Sequence, residues 1–274
     1  MDRGMPCTMA FRRLPSPTAL QPTALIPRPQ LLTADSLPPS FLPPHHSPLK
    51  IMASPPSLRL IYFNFGGRAE AIRLALFVGE VEFEDVRITE EEFRQRKAEG
   101  KYPFGSVPVL EVDGVVYAQS VGILRFVGRL GGLYPEEPLA GLAIDQIVGG
   151  VEDMIVATVP YLFAPETDKP LMKEKLEKDV YPRFFSAFEK LLHADGEGFF
   201  YGKHLTIADL AVYPVLQWIT TSIVDKESLD PYPLLKALFA TIEGHEKVKD
   251  YYEHERLRAE KEGEGAGEGR GEES

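Results

Sequence analysis

Five polar side chains, Tyr62, Arg68, Lys97, Gln119 and Ser120, fall where strands end or helices begin in the apolar pattern of this 274-residue chain. A phenol is an uncharged hydrogen-bond donor, guanidinium and ammonium groups hold anions, and a hydroxyl at a helix start joins backbone N–H groups that already favour negative charge. The chain as a whole is acidic, with 30 Lys+Arg against 41 Asp+Glu and a net charge of −11. That balance argues against a protein that neutralises nucleic-acid phosphates. Any acidic small molecule must therefore be held by local positive groups. Taken singly, each residue also has an ordinary reading: Tyr62 packs at a strand edge, Ser120 caps a helix, and Arg68 and Lys97 are solvated helix charges.

Other chemistries are poorly supplied. There is no HExxH, GxSxG or Walker loop, and His45, His46, His193, His204, His245 and His254 are too scattered to suggest metal ligands. No metal is therefore expected. The single cysteine, Cys7, has no partner for a disulfide, a CxxC pair or a zinc cluster, which points to a reducing compartment. Apolar residues make up 44% and charged residues 26%, and no run approaches the roughly 18 apolar residues of a membrane span, so an integral membrane protein is not expected.

The elements that must position these side chains divide near Tyr134-Pro135. Before it, Leu58–Phe63 reads as a strand, Arg68–Val78 as a helix, Phe83–Ile88 as a strand and Glu90–Ala98 as a short polar helix. Val107–Val112 and Val115–Tyr117 form a hairpin across Asp113-Gly114, and Ser120–Leu130 is a helix. This order implies a small mixed sheet covered by helices, its parallel part made by the first crossover. After Pro138 a period of 3.6 dominates. Ile144, Ile147, Val148, Val151, Met154 and Ile155 form one stripe, a second helix covers Leu171–His193, a third carries Leu210 to Ile219, and a fourth Leu234 to Ile242. Thr206 and Asp209 make a capping box for the third, and Pro214 is expected to kink it.

The two ends differ in composition. Residues 1–56 hold 13 of the 24 prolines and carry Arg3, Arg12, Arg13, Arg28 and Lys50 against only Asp2 and Asp35. The segment reads as a disordered leader, either an organellar transit peptide or sequence upstream of a true start at Met52; the latter is favoured, which places the protein in the cytoplasm. Residues 259–274 alternate Gly with Glu and read as a solvated acidic tail. Expected domains are thus 57–134 and 135–258.

The stretches IYFNFGGRAEAIRLAL, PFGSVPVLEVDG, AQSVGILRFVGRL and LTIADLAVYPVL, in that order, resemble the cytosolic glutathione transferases over nearly the whole folded span. The YFN-x-x-GRAE form with a QS pair is similar to the sigma-class branch, which also contains prostaglandin D synthases and S-crystallins. The resemblance implies an α/β thioredoxin-like N-terminal domain and an all-helical C-terminal domain, with glutathione as cosubstrate and a homodimer. It places Tyr62 at the catalytic tyrosine, donating to the glutathione sulfur. A cysteinyl thiol has a reference pKa of about 8.5, so such a donor raises the thiolate fraction at neutral pH. Gln119 and Ser120 match the pair holding the γ-glutamyl end. Val107-Pro108 matches a cis-proline dipeptide whose Val backbone pairs with the cysteinyl backbone; sequence alone would make it trans. Arg68 and Lys97 match neighbours of the tripeptide, and Asp153 matches an acid reaching the glutathione amine of the other subunit.

Two positions depart from the pattern. Phe93 stands where the family usually has a glutathione-contacting Trp, and Ser106 replaces a longer Lys or Gln, with Lys101 as the candidate substitute. The activity implied is conjugation of glutathione to small hydrophobic electrophiles. Glutathione-dependent prostaglandin isomerisation and a non-catalytic, crystallin-like role on the same fold are the alternatives. A dithiol oxidoreductase is excluded because residues 58–258 contain no Cys.

Overall fold

In a computed structural model, residues 55–195 and 198–268 are described; the leader expected at 1–56 and the last six residues of the tail lie essentially outside this range. The first half is built on four strands, β1 (Leu58–Phe63), β2 (Glu84–Ile88), β3 (Val109–Val112) and β4 (Val115–Ala118), in the order β2-β1-β3-β4. β1 is central. Leu60, Ile61 and Tyr62 are all buried, as expected for a strand covered on both faces. β1 pairs parallel with β2 and antiparallel with β3, with Ile61 opposite Val109. The β3–β4 turn places Asp113 and Gly114 at φ 49° and 84°, the left-handed pair that suits a tight hairpin.

A short 3-10 turn, Gly67–Ala69, leads into α1 (Glu70–Val78), the crossover between β1 and β2. α2 (Glu90–Ala98) starts with a capping box, Thr89 Oγ1 accepting from the Glu92 N–H and the Glu92 carboxylate from the Thr89 N–H. α3 (Ser120–Leu130) packs on α1 so closely that a Cβ placed on Gly79 would lie 2.6 Å from the Gly131 Cα. Only glycine fits at that meeting of helix ends.

The second half is helical among the described residues: α4 (Pro138–Leu162), α5 (Lys169–Lys175), α6 (Tyr181–Asp195), α7 (Ile207–Ser222), α8 (Pro233–Gly244) and α9 (Glu246–Glu268). The single long helix expected over Leu171–His193 is divided by a π turn at Leu176–Val180. Pro182 explains the break, because it lacks the N–H that an α-helix would direct at residue 178; Tyr181 N–H instead bonds the Leu176 carbonyl. α7 runs unbroken through Pro214 and is buried nearly all round, so it is the axis of this half. The segment expected as a solvated tail from 259 continues α9 as far as Glu268.

The sequence boundary at Tyr134-Pro135 does not separate two cores. One buried cluster contains Leu60, Ile72 and Leu124 of the first half together with Ile147, Leu210 and Tyr251 of the second. The junction is also stitched by backbone: Ile207 N–H donates to the Leu133 carbonyl at 3.0 Å. No helix of the described residues is long and apolar enough to cross a membrane.

Candidate active site

Tyr62 is the penultimate residue of β1, and its ring is buried at 6% exposure. Its hydroxyl oxygen accepts the Arg68 backbone N–H at 3.3 Å, and no acceptor for the phenolic hydrogen exists among the described residues. Burial is the main cause that pushes the Tyr62 phenol up, outweighing the lowering by the Arg68 N–H and by the charges of Arg68 and Arg73. The group is therefore a neutral donor at physiological pH, and accepting an N–H polarises its O–H further.

The residue packed against that hydroxyl is Gly67. It is exposed at φ 47°, and a Cβ there would lie 2.7 Å from the Tyr62 hydroxyl oxygen and 2.7 Å from the Phe65 ring. Gly67 and Arg68 form one wall of a cleft of about 40 Å³ whose other walls are Ser120, Val121 and Leu124 of α3, Val148, Val151 and Glu152 of α4, and Ala211, Pro214 and Val215 of α7. Tyr62 stands directly behind the Gly67–Arg68 wall. The volume holds a water or two, so a tripeptide must lie along the exposed rim instead.

The rim is polar where α3 begins. Gln119 takes φ 79°, ψ 101°, a left-handed-side conformation uncommon outside glycine, and no side chain caps the helix. Ser120 is not the N-cap that the ordinary reading makes it. Its hydroxyl has no hydrogen-bond partner among the described residues, and the first N–H groups of α3 are open beside it. An anion placed there meets unsatisfied donors and the positive helix end. Arg68 pairs with Glu152, both carboxylate oxygens within reach of one guanidinium nitrogen.

The remaining expected residues form a second group. Phe93 stacks on Tyr102 at 5.7 Å and meets Phe63 edge-on at 5.4 Å, so much of its ring is spent on packing. Lys97 Nζ lies 5.5 Å from the Phe93 ring centre. A Cβ on Gly105 would lie 3.3 Å from Lys97 Cε, which brings Lys97 beside exposed Ser106. Lys101, expected to replace a longer residue at 106, instead pairs with Glu99 at 2.6 Å. Val107-Pro108 is a cis peptide, and Val107 packs both on the main buried cluster and on a smaller one formed by Ile61, Ile88, Tyr102 and Val109.

Asp153 is exposed on α4, away from the cleft that its neighbour Glu152 lines. The pairing of Glu152 with Arg68 left no mark in the local sequence pattern. Sequence reasoning also missed Gly67 and Arg73. Arg73 left a signal, a charged residue inside the apolar run AIRLAL, and it proves to be 0% exposed. Among the described residues no group of three or more His, Cys, Asp or Glu could hold a metal.

The chain thus combines a thioredoxin-like sheet followed by a helical bundle with an uncapped start of α3 lining the cleft and a cis peptide before β3. The glutathione S-transferase N-terminal domain family matches residues 58–129 and the C-terminal domain family matches 152–255. Mouse "Glutathione S-transferase A3" is 31% identical over 201 residues, covering 73% of this chain and 89% of that one. "Glutathione S-transferase 2" of Caenorhabditis elegans is 35% identical over 159 residues, 56% of this chain and 84% of its own. Among solved structures, prostaglandin synthase D of Nilaparvata lugens superposes with a TM-score of 0.65 at 31% identity, covering 72% of this chain and 98% of that one. The chain belongs to the glutathione S-transferase family. These relatives do not single out the sigma class.

Proposed function

We propose that this protein conjugates glutathione to small hydrophobic electrophiles, with Tyr62 hydrogen-bonding the sulfur. The observation that carries this is the Tyr62 hydroxyl, neutral at physiological pH, fixed by the Arg68 N–H, and holding an uncommitted proton beside a glycine whose missing side chain keeps that space clear. Donation to sulfur stabilises the thiolate relative to the thiol. The thiol proton leaves to solvent, the sulfur attacks the electrophile, and the leaving group departs. The γ-glutamyl carboxylate is assigned to the open start of α3 with Gln119 and Ser120, the cysteinyl backbone to Val107, and the glycyl end to Lys97 with Ser106 and the Phe93 face. The apolar residues of α4 and α7 favour a hydrophobic cosubstrate.

The YFN-x-x-GRAE and QS motifs favour placement in the sigma-like branch. The Nilaparvata structure supports prostaglandin isomerisation as a second reading, tested by adding prostaglandin endoperoxide in place of an electrophile. A homodimer is proposed from exposed apolar residues: Phe104 is 69% exposed, and Leu139, Leu142 and Val156 share one face of α4 with Asp153. Sedimentation of the full chain tests it. The cytoplasm is the proposed location.

The decisive measurement is chlorodinitrobenzene conjugation by wild type and Tyr62→Phe, with retention on immobilised glutathione. Tyr62→Phe is expected to lower kcat/KM about 100-fold and to raise the apparent pKa of the bound thiol by about 2 units, the same free energy read twice. Retention without turnover in wild type would mean a binding protein. Turnover indifferent to Tyr62 would move the donor elsewhere.

A further inference from the structure

The turn that carries the proposed donor is held from beneath by charged groups that the sequence motifs do not explain. Arg73, wholly buried in α1, donates to the Phe65 carbonyl at 2.9 Å, the Phe63 carbonyl at 3.2 Å and the Gly66 carbonyl at 3.5 Å. These carbonyls belong to the segment between Tyr62 and Arg68, the two residues whose mutual hydrogen bond fixes the hydroxyl. A buried guanidinium on three carbonyls needs a counter-charge. Asp85 of β2 supplies it, its carboxylate 3.0 Å from Arg73 Nε, and Glu70 adds a second at 3.7 Å.

Asp85 is shared. Its other partner is Arg87, at 2.6 Å, which also donates to the Asn64 side chain in the same turn at 3.3 Å. Arg87 then meets Glu255 of α9 at 2.7 Å. Glu255 also pairs with Arg258 at 3.1 Å. The side chains in this chain are poorly exposed, 0% for Arg73, 11% for Arg87, 20% for Asp85 and 19% for Glu255, so their attractions are far less screened than those of surface pairs. The far end of α9 is tied down separately, Lys247 Nζ bonding the Val78 carbonyl at 3.1 Å, and Phe77 packs against Tyr251 at 5.6 Å. α9 therefore grips α1 at its end and the active-site turn at its base.

We infer that α9 is a brace for the reaction centre: Glu255, acting through Arg87, Asp85 and Arg73, positions the Phe63–Gly66 turn so that the Tyr62 hydroxyl stays aligned with the Arg68 N–H and the glutathione sulfur. None of these four side chains touches the cleft, so they are positioning residues. The inference rests on the proposed role of Tyr62 for its effect on turnover, though not for its effect on the turn.

The test uses the full chain with Glu255→Ala and the shape-preserving Glu255→Gln. Glu253→Ala, two residues earlier on α9 and paired with Arg256, is the control. Glu255→Ala is expected to lower kcat with chlorodinitrobenzene about tenfold, to raise the apparent pKa of the bound thiol, and to leave the KM for glutathione within about twofold, because the binding groups at α3 are not on this relay. In a Tyr62→Phe background the same change should cost little, since residues acting through one group are not additive. Amide exchange of residues 63–69 should accelerate in Glu255→Ala and not in Glu253→Ala. Equal losses in both backgrounds, or unchanged exchange in that turn, overturns the inference. If Tyr62→Phe by itself proves harmless the proposed function fails, and the amide exchange still decides the brace.

Discussion

α3 and α7 begin in opposite ways. At the start of α7 every exposed donor is answered: Asp209 accepts from the Phe200 N–H at 3.0 Å, the Thr206 N–H at 2.8 Å and the Thr206 hydroxyl at 2.9 Å, while Thr206 Oγ1 accepts from Ala208 at 3.3 Å. Both residues are buried, and burial pushes the Asp209 carboxyl up against the lowering by its donors. At the start of α3 nothing answers: Gln119 sits at an unfavourable φ, Ser120 is unpartnered, and the donors face a cleft. The first is an end closed for stability. The second is an end left open, as the proposed seat of a ligand carboxylate requires, and the cost of its backbone strain is about 1–3 kcal/mol.

That contrast makes separable predictions. Asp209→Ala should cost about 3 kcal/mol, because it orphans buried N–H groups of Phe200 and Thr206, and should lower Tm by roughly 6–12 °C. The folded fraction should keep its glutathione affinity, and a drop in affinity without a drop in Tm would erase the distinction. Ser120→Ala should do the reverse, weakening glutathione binding about tenfold by titration calorimetry, or about 1.4 kcal/mol, with Tm nearly unchanged. Gln119→Gly relieves the positive φ and should raise stability by about 0.5–1 kcal/mol in urea unfolding while glutathione affinity falls. A stability loss there would show that Gln119 is held by something other than the needs of the ligand.

A third helix start calibrates the other two. Glu137 caps α4 through the N–H groups of Leu139 at 2.9 Å and Ala140 at 2.6 Å, which hold its carboxyl below the usual carboxylate value of 4.5. A depressed folded pKa means stability that is present above that value and lost as pH falls through the folded one. Glu137→Gln should therefore lower Tm slightly at pH 7, by an amount that shrinks as the pH falls below 4.5. A difference that stays constant across an acid titration would show that the cap does not depend on charge.

Local pattern in the sequence revealed most elements: β1 to β4, α1 to α4 and the capping box of α7 stand close to where apolar runs, alternation, 3.6-residue spacing and capping residues put them. It failed where the cause was not periodic. The π turn depends on a single missing N–H at Pro182, and α9 extends through glycines that its composition argues against. The site divided similarly. Motif resemblance singled out the proposed Tyr62 and Ser120 and the Val107-Pro108 peptide, which is cis, whereas the Arg68–Glu152 pair, the packing of Gly67 on Tyr62 and the burial of Arg73 depend on tertiary contacts or on absence of a side chain. No local pattern records such roles.

The glycine contact between α1 and α3 has a reach longer than its size. Both helices begin at the cleft, which Arg68 and Ser120 line, and both end at Gly79 and Gly131, where their backbones meet. Each helix is a stiff lever about 13–17 Å long, pivoting on that point. One added methyl at the pivot would be magnified at the mouth, so the gauge of the site is set by two hydrogen atoms at its opposite end.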